Sequence, residues 1–299
     1  MTQRRPPPGG PARFGADWLQ QREPFDAAAR HGADKRLALS ASLSTLRPPA
    51  STPWRVLDLA CGTGANLRWL APRLGGRQEW LVVDHDAALL RRWPMALGLP
   101  RAGADDLLNF DGIGFNASVV RRRLDLVQDL ETLPWQAAHL VTASALLDLV
   151  SAAWQQRLVA ACARSRTAML FALTVDGRHH WQPADPLDTV VGALFATHQT
   201  RDKGFGPALG PRAGAALVRE LRAAGYRVRC ARSDWSLQGR EDAPALALQR
   251  ALIDGMAAAA CEQDAGAGAS VQRWRQRRHD CAARARLLVG HVDVLALPG

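Results

Sequence analysis

The sequence predicts an α/β protein built on an open, mostly parallel sheet. Three observations carry that prediction. A short apolar strand, Val56-Leu57-Asp58-Leu59, runs through Ala60 and Cys61 into a glycine turn and then a helix that begins near Asn66. Apolar segments of strand length alternate with helical patterns along the rest of the chain. Acids recur at the ends of those strands, which is where open α/β sheets bind their ligands.

In chain order, residues 1–13 are rich in proline, glycine and arginine and are expected to be a disordered tail. A helical pattern covers residues 17–46, with Pro24 as a kink or a new first turn, and residues 48–53 form a linker. Val56, Leu57 and Leu59 suit a strand buried on both faces. Asp58 interrupts that run, either to hold a ligand or to fix the amides of the turn. Gly62 and Gly64 allow positive φ and a close approach to the backbone. Leu67, Leu70 and Leu74 give the next helix its buried face.

Residues 80–83 read as the second strand, and it ends in Asp84, 20 residues beyond Gly64. A carboxylate there offers two oxygens to a vicinal diol. His85 is either a stacking side chain or an exposed loop residue, and Asp86 is placed to cap the helix at Ala87. Residues 104–108 are expected to begin a short helix, and Arg121-Arg122-Arg123 to be a solvated charge run. Residues 124–127 read as the third strand, followed by Asp129 and Leu130. Residues 140–143 read as the fourth, followed by Ser144-Ala145-Leu146-Leu147-Asp148.

A helix over 152–163 leads to a fifth strand at 168–173. Beyond it lie Asp176 through Trp181, a helix opened by Asp185-Pro186, and a proline- and glycine-rich loop from Arg201 to Pro211 of the kind that forms binding walls. The helix over 212–224 stops at Gly225, a natural C′ residue, and a sixth strand follows at 226–233. Two helical patterns at 244–262 and 271–288 precede a final strand at 291–296. Tyr226, the only tyrosine, is read as a packing residue.

With 299 residues, 47% hydrophobic and 22% charged, the chain has the composition of a globular protein with one sizeable core. Its net charge of +10 invites a nucleic-acid reading, but 36 of the 38 basic residues are arginine in an alanine-rich chain, the mark of codon bias as much as of polyanion binding. The 5 cysteines are widely spaced with no C-x-x-C pair, which argues against a disulfide framework or a zinc site and for a reducing compartment. No apolar stretch approaches the roughly 18 to 20 residues of a membrane span, and the basic N-terminus lacks the apolar segment of a signal peptide. A cytoplasmic location is therefore expected.

The glycine turn separates three families. A dinucleotide fingerprint needs a third glycine where Leu67 stands, and a P-loop needs a lysine that is absent. Asp58-Leu59-Ala60-Cys61-Gly62-Thr63-Gly64 instead resembles motif I of the class I S-adenosylmethionine-dependent methyltransferases. That resemblance implies a seven-stranded, doubly wound sheet with an antiparallel last strand, carrying helical additions at the N-terminus, after strand 5 and between strands 6 and 7. It implies a catalytic domain over 51–299 with an acceptor-side insert at about 176–211 and a helical insert at about 240–288. Residues 14–50 would fold over the cofactor as a lid, bringing Arg22 or Arg30 to its carboxylate.

For S-adenosyl-L-methionine the resemblance implies a site of Asp58, Ala60, Gly62, Gly64, Asp84, His85, Asp129, Leu130 and Ala143, with Asp84 on the ribose and Asp129 near the adenine amino group. Asp148 is either a candidate base or acceptor-binding acid or a residue that fixes a helix turn, and His179, His180, His198 and Lys203 are further candidates. The Asn/Asp-Pro-Pro-aromatic segment of many nucleic-acid amino-methyltransferases is replaced by Thr142-Ala143-Ser144-Ala145. The expected reaction is transfer to a small-molecule acceptor, with oxygen the favoured atom; an RNA methyltransferase and a catalytically silent cofactor-binding protein are the alternatives. The sequence fixes no oligomeric state.

Overall fold

A computed structural model describes residues 14–100, 107–240 and 242–299. The expected tail at 1–13 and the start of the expected helix at 104–106 lie outside them. The chain opens with α1 (Ala16–Leu37) and α2 (Leu39–Ser44), and then β1 (Trp54–Leu59), α3 (Ala65–Leu74) and β2 (Gly76–Asp84). Short helices α4 (Ala87–Leu90) and α5 (Trp93–Ala96) precede a hairpin, β3 (Leu107–Gly112) and β4 (Phe115–Arg123). After it come β5 (Leu140–Ser144), α6 (Ala152–Ser165), β6 (Ala168–Gln182), α7 (Asp188–Gln199) and α8 (Ala213–Ala223). The chain finishes with β7 (Tyr226–Arg232), β8 (Trp235–Gln238), α9 (Ala243–Gln263), α10 (Gly268–Cys281) and β9 (Arg286–Pro298).

All described strands join one sheet in the order β3-β4-β2-β1-β5-β6-β9-β7, with β8 paired to β9. Strands β4, β2, β1, β5 and β6 are parallel, and β9 runs antiparallel between β6 and β7. The chain builds outward from β1 to one side through β2 and β4, then returns to the other through β5 and β6. The carboxyl ends of β1 and β5 therefore border the crevice where the strand order reverses.

Each face of the sheet has its own core. Leu67, Leu70 and Leu74 of α3 are fully buried on one face with Trp54, Trp80 and Trp93; burying a leucine stabilises the fold by roughly 1.5–3 kcal/mol. Trp154 and Leu158 of α6 and Leu217 and Leu221 of α8 cover the other face with Phe171. Both faces of β1 are thus enclosed, and Val56 through Leu59 are at most 2% exposed. A third core, with Trp181, Trp235, Leu248 and Trp274, lies where the second half of β6 and the first half of β9 extend past the parallel strands with β8.

The sheet departs from the predicted seven strands. Nine are present among the described residues, because a hairpin adds β3 at one edge and β8 pairs with β9. Leu107 and Leu108, expected in a helix, lie in β3; Ile113 and Gly114 make the turn, and Gly114 supplies a positive φ of 80°. The third parallel strand is β4, ending at Arg123, so residues 124–127 lie beyond the strand rather than in it. Residues 176–181, expected past the fifth strand, continue β6. Helix α10 ends at Cys281, and Leu288 belongs to β9. The arginine run is not wholly solvated: Arg121 is buried and donates from Nη1 to the Leu90 carbonyl. No helix among the described residues is long and apolar enough to cross a membrane.

Candidate functional site

Two strand ends and one position within a strand share an unusual backbone conformation. Ala60 after β1, Ala145 after β5 and Leu173 within β6 hold left-handed φ values of 50°, 55° and 55°. Such residues cost of order 1–3 kcal/mol each and persist where surrounding bonds determine them. Here the N–H of Cys61 donates to the Val83 carbonyl, that of Ala145 to the Ala172 carbonyl and that of Leu173 to Asp293. Ala60 and Ala145 line a cavity of about 890 Å³ over the strand ends, within the usual range for a small-molecule site.

The glycines of the turn serve packing as well as access. A Cβ on Gly64, at φ 87°, would come within 3.0 Å of the Trp93 ring, and one on Gly62, at φ 54°, within 3.1 Å of Leu19 Cδ1. Trp93 also donates from Nε1 to the Gly62 carbonyl, so α5 supports the turn from beneath. Leu19 brings α1 over it from the other side. Gly62 lines the cavity and Gly64 does not.

Asp58 anchors a buried polar chain. Asn66 Nδ2 donates to Asp58 Oδ1 at 2.7 Å and approaches Thr142 Oγ1 at 3.1 Å, and Arg30 Nη1 donates to Asn66 Oδ1 at 2.9 Å. Arg30 is 2% exposed, stacks over Trp69 and lies 3.9 Å from Asp293. Asp58 Oδ2 is buried, has no hydrogen-bond partner, and belongs to a residue that lines the cavity. Burial pushes the Asp58 carboxyl up to about 7, against the opposing pull of Asn66 and Arg30. The amides of the turn are served by Asp84 instead: its Oδ2 accepts from Gly62 N–H at 2.9 Å and its Oδ1 from Asp86 N–H at 2.8 Å.

Asp84 is buried, lines the cavity and has its pKa raised by burial. Each of its oxygens retains a lone pair beyond the amide it already accepts. His85 lines the cavity beside it, with Nδ1 3.5 Å from Asp84 Oδ1. Asp86 caps α4 as expected, accepting from Ala88 N–H at 2.7 Å.

Two placements differ from the sequence reading, the first because β4 ends earlier than expected. Asp129 and Leu130 do not line the cavity: Asp129 accepts from Asp125 N–H, and Leu130 is buried in the core. Asp125 and Leu126 line it instead, with Arg123, whose Nε donates to the His85 carbonyl. Ala143 is buried within β5, and Ser144 and Ala145 face the cavity in its place. The alternation of Phe115, Ala117 and Val119 with polar neighbours was the available signal for β4.

Toward β5 the cavity is lined by Arg22 of α1 with Leu146, Leu149, Lys203 and Phe205, and Leu19 of α1 lines it over the glycine turn. Arg22 is held by Asp26, with 2.9 Å from Nε and 3.2 Å from Nη2. Asp148 sits on a 3-10 turn between lining residues without lining the cavity itself; its Oδ1 is buried without a partner, and burial pushes it up to about 6. His179, His180 and His198 do not line the cavity. His179 is packed against Phe195, and His198 lies 3.3 Å from Glu262. The Tyr226 hydroxyl reaches the carbonyls of Cys162 and Thr167, a packing role as read. All five cysteines are free, and burial raises the Cys61 thiol well above its ordinary value, which makes it inert.

No protein-family model and no curated protein matches the sequence. Among solved structures, the chain is similar to an S-adenosylmethionine-dependent methyltransferase from Thiobacillus denitrificans in complex with S-adenosyl-L-homocysteine, at 16% identity and a TM-score of 0.42 over 96% of this chain and 100% of that one. It is similar to a cyclopropane synthase from Mycobacterium tuberculosis at 11% identity and a TM-score of 0.43, over 88% and 83% of the two chains. It is likewise similar to a geranyl diphosphate C-methyltransferase from Streptomyces coelicolor A3(2) at 12% identity and a TM-score of 0.42, over 88% and 78%.

Proposed function

We propose that the chain is a methyltransferase that uses S-adenosyl-L-methionine and a small-molecule acceptor, with oxygen as the acceptor atom. One observation carries the cofactor reading. Asp58 and Asp84 face one cavity from either side of the glycine turn, and the buried Oδ2 of Asp58 has no donor of its own. An uncommitted carboxylate oxygen suits the ammonium of the cofactor, and Asp84 suits its ribose hydroxyls. His85, Asp125 and Leu126 would then border the adenine. Two acids around the turn disfavour a dinucleotide, whose pyrophosphate would meet like charge.

When bound, the cofactor supplies an electrophilic methyl group. What the protein must do is place the acceptor in line with it and take up the acceptor's proton. Asp148 is the candidate for the proton: it lies between the lining residues Leu146 and Leu149 but behind the cavity wall, so its side chain would have to turn inward to accept, and burial raises its carboxyl to about 6. Leu19, Leu146, Leu149 and Phe205 would exclude water from the acceptor.

The arginine surface supports a small acceptor over RNA. Arg55, Arg157, Arg275 and Arg277 are each paired with a carboxylate, at 3.2, 2.6, 2.7 and 2.6 Å. The test is transfer of labelled methyl from S-adenosylmethionine into a cell extract separated into small metabolites and macromolecules, with Asp84→Ala as the blank. Label in small metabolites is the expected result. Label in RNA or protein would overturn the acceptor class, and cofactor binding with no transfer at all would favour a silent binder.

A further inference from the structure

The end of the cavity away from Asp84 holds a cation with no hydrogen-bonded or ion-paired anion among the described residues. Lys203 lines it together with Phe205, Leu146 and Leu149. Its ammonium makes no hydrogen bond or ion pair with a described residue. Burial and the neighbouring charge of Arg201 both push its pKa down, and Glu262 is the smaller, opposing influence. The other cation at this end differs, because the guanidinium of Arg22 is already engaged with Asp26. Glu262 lies against His198.

The loop that carries Lys203 is built, and a solvated lysine would not need it to be. Asp202 Oδ1 accepts from the N–H groups of Gly204 and Gly206 at 2.7 and 3.0 Å. On one flank, Arg201 donates to the Glu262 carbonyl at 2.8 Å and to Gln263 Oε1 at 3.0 Å, which ties the loop to the end of α9. On the other, Leu209 N–H donates to the Val150 carbonyl at 2.8 Å, and Phe205 packs edge-on against Trp154 at 5.3 Å. Lys203 thus stands on a braced loop in a cavity that Phe205, Leu146 and Leu149 also line, with Glu262 acting on it only as a weaker influence and not as an ion-pair partner.

We propose that Lys203 binds an anionic group, a carboxylate or a phosphate, on the acceptor, whose apolar part lies against Leu146, Leu149 and Phe205. This rests on the reading of the cavity as a joint cofactor and acceptor site. Lys203 is a positioning residue in this role, as it holds the end of the acceptor that does not react. A hydrogen-bonded charge pair of this kind distinguishes an anion from its neutral analogue by about tenfold or more.

The test uses the full chain saturated with S-adenosyl-L-homocysteine and titrated calorimetrically with hexanoate, hexyl phosphate and hexanamide. At least one anion should bind about tenfold tighter than the amide. Lys203→Met should abolish that preference and Lys203→Arg retain it, with the affinity for S-adenosyl-L-homocysteine unchanged in both. The tighter of the two anions identifies the group. Equal binding of anions and amide, binding of neither anion, or a preference that survives Lys203→Met overturns the assignment while leaving the cofactor reading intact. Failure of the wild type to bind S-adenosyl-L-homocysteine overturns the cofactor reading and the assignment with it.

Discussion

Replacing Asp58 by asparagine separates the charge of this carboxylate from its shape. The wild-type group is fully buried, accepts one hydrogen bond from Asn66, and is pushed from 3.8 up to about 7. A carboxyl raised in the folded state contributes stability that is fully present below its unfolded value near 3.8 and is lost as pH rises through about 7. Between pH 5 and pH 8 this group alone costs the wild type about 2–3 kcal/mol, since each tenfold change in proton binding is worth about 1.4 kcal/mol. Asparagine carries no such charge and keeps an oxygen to accept from Asn66. Its new amide lacks an acceptor, a cost of about 1–3 kcal/mol that is the same at both pH values. The variant should therefore gain on the wild type by roughly 4 °C in Tm when the buffer moves from pH 5 to pH 8. Thermal unfolding of both proteins at the two pH values measures it. A difference in Tm that does not change with pH would refute the buried, uncompensated charge. In parallel, calorimetry at pH 8 should show about tenfold weaker binding of S-adenosyl-L-homocysteine to the variant, because its ammonium loses a charged partner.

Other substitutions probe the remaining parts. Asp84→Ala should lower affinity for S-adenosyl-L-homocysteine by about a hundredfold, since it removes two amide acceptors and the diol partner together; near wild-type affinity in calorimetry would remove Asp84 from the site. Asp148→Asn should leave that affinity unchanged and reduce turnover about a hundredfold or more, and the wild-type rate should fall below about pH 6 as the carboxyl is protonated. An unchanged rate in the variant would exclude it as the base. Gly64→Ala should destabilise the fold by about 2–4 kcal/mol in urea unfolding, from a left-handed φ and contact with Trp93; a neutral result would mean that the Trp93 ring moves away freely.

The glycine turn was legible in sequence because its chemistry is local: a strand, two glycines and a helix start all lie within about a dozen residues. Asp84 was legible for a related reason, as β2 pairs with β1 in the register that puts Asp84 beside Gly62. The acid that lines the cavity past β4 is Asp125, four positions before the Asp129 expected there. Residues 124–127 have the composition of a strand, and only the pairing of Phe115 through Arg123 with β2 shows where β4 stops. The roles of Trp93 beneath the turn and of Arg30 on Asn66 were hidden for another reason. Both are contacts between elements 31 and 36 residues apart, and no local pattern encodes them. Lys203 could be named from sequence, but its lack of an ion-pair partner among the described residues could not.

The position of β9 carries a consequence for the order of assembly. It is the last strand in the sequence, yet it lies between β6 and β7 and also supplies the partner for β8. A ribosome making this chain finishes every other strand before the one that joins them. Until then β6 and β7 each present an unpaired edge, and Leu173, whose N–H is held by Asp293 of β9, lacks that acceptor. Arg30 on α1 also faces Asp293, so the first helix and the last strand meet in one buried cluster. Contacts of such long sequence separation slow folding and favour protection of the nascent chain. The strand-end geometry under the cavity is therefore completed only once β9 has been made.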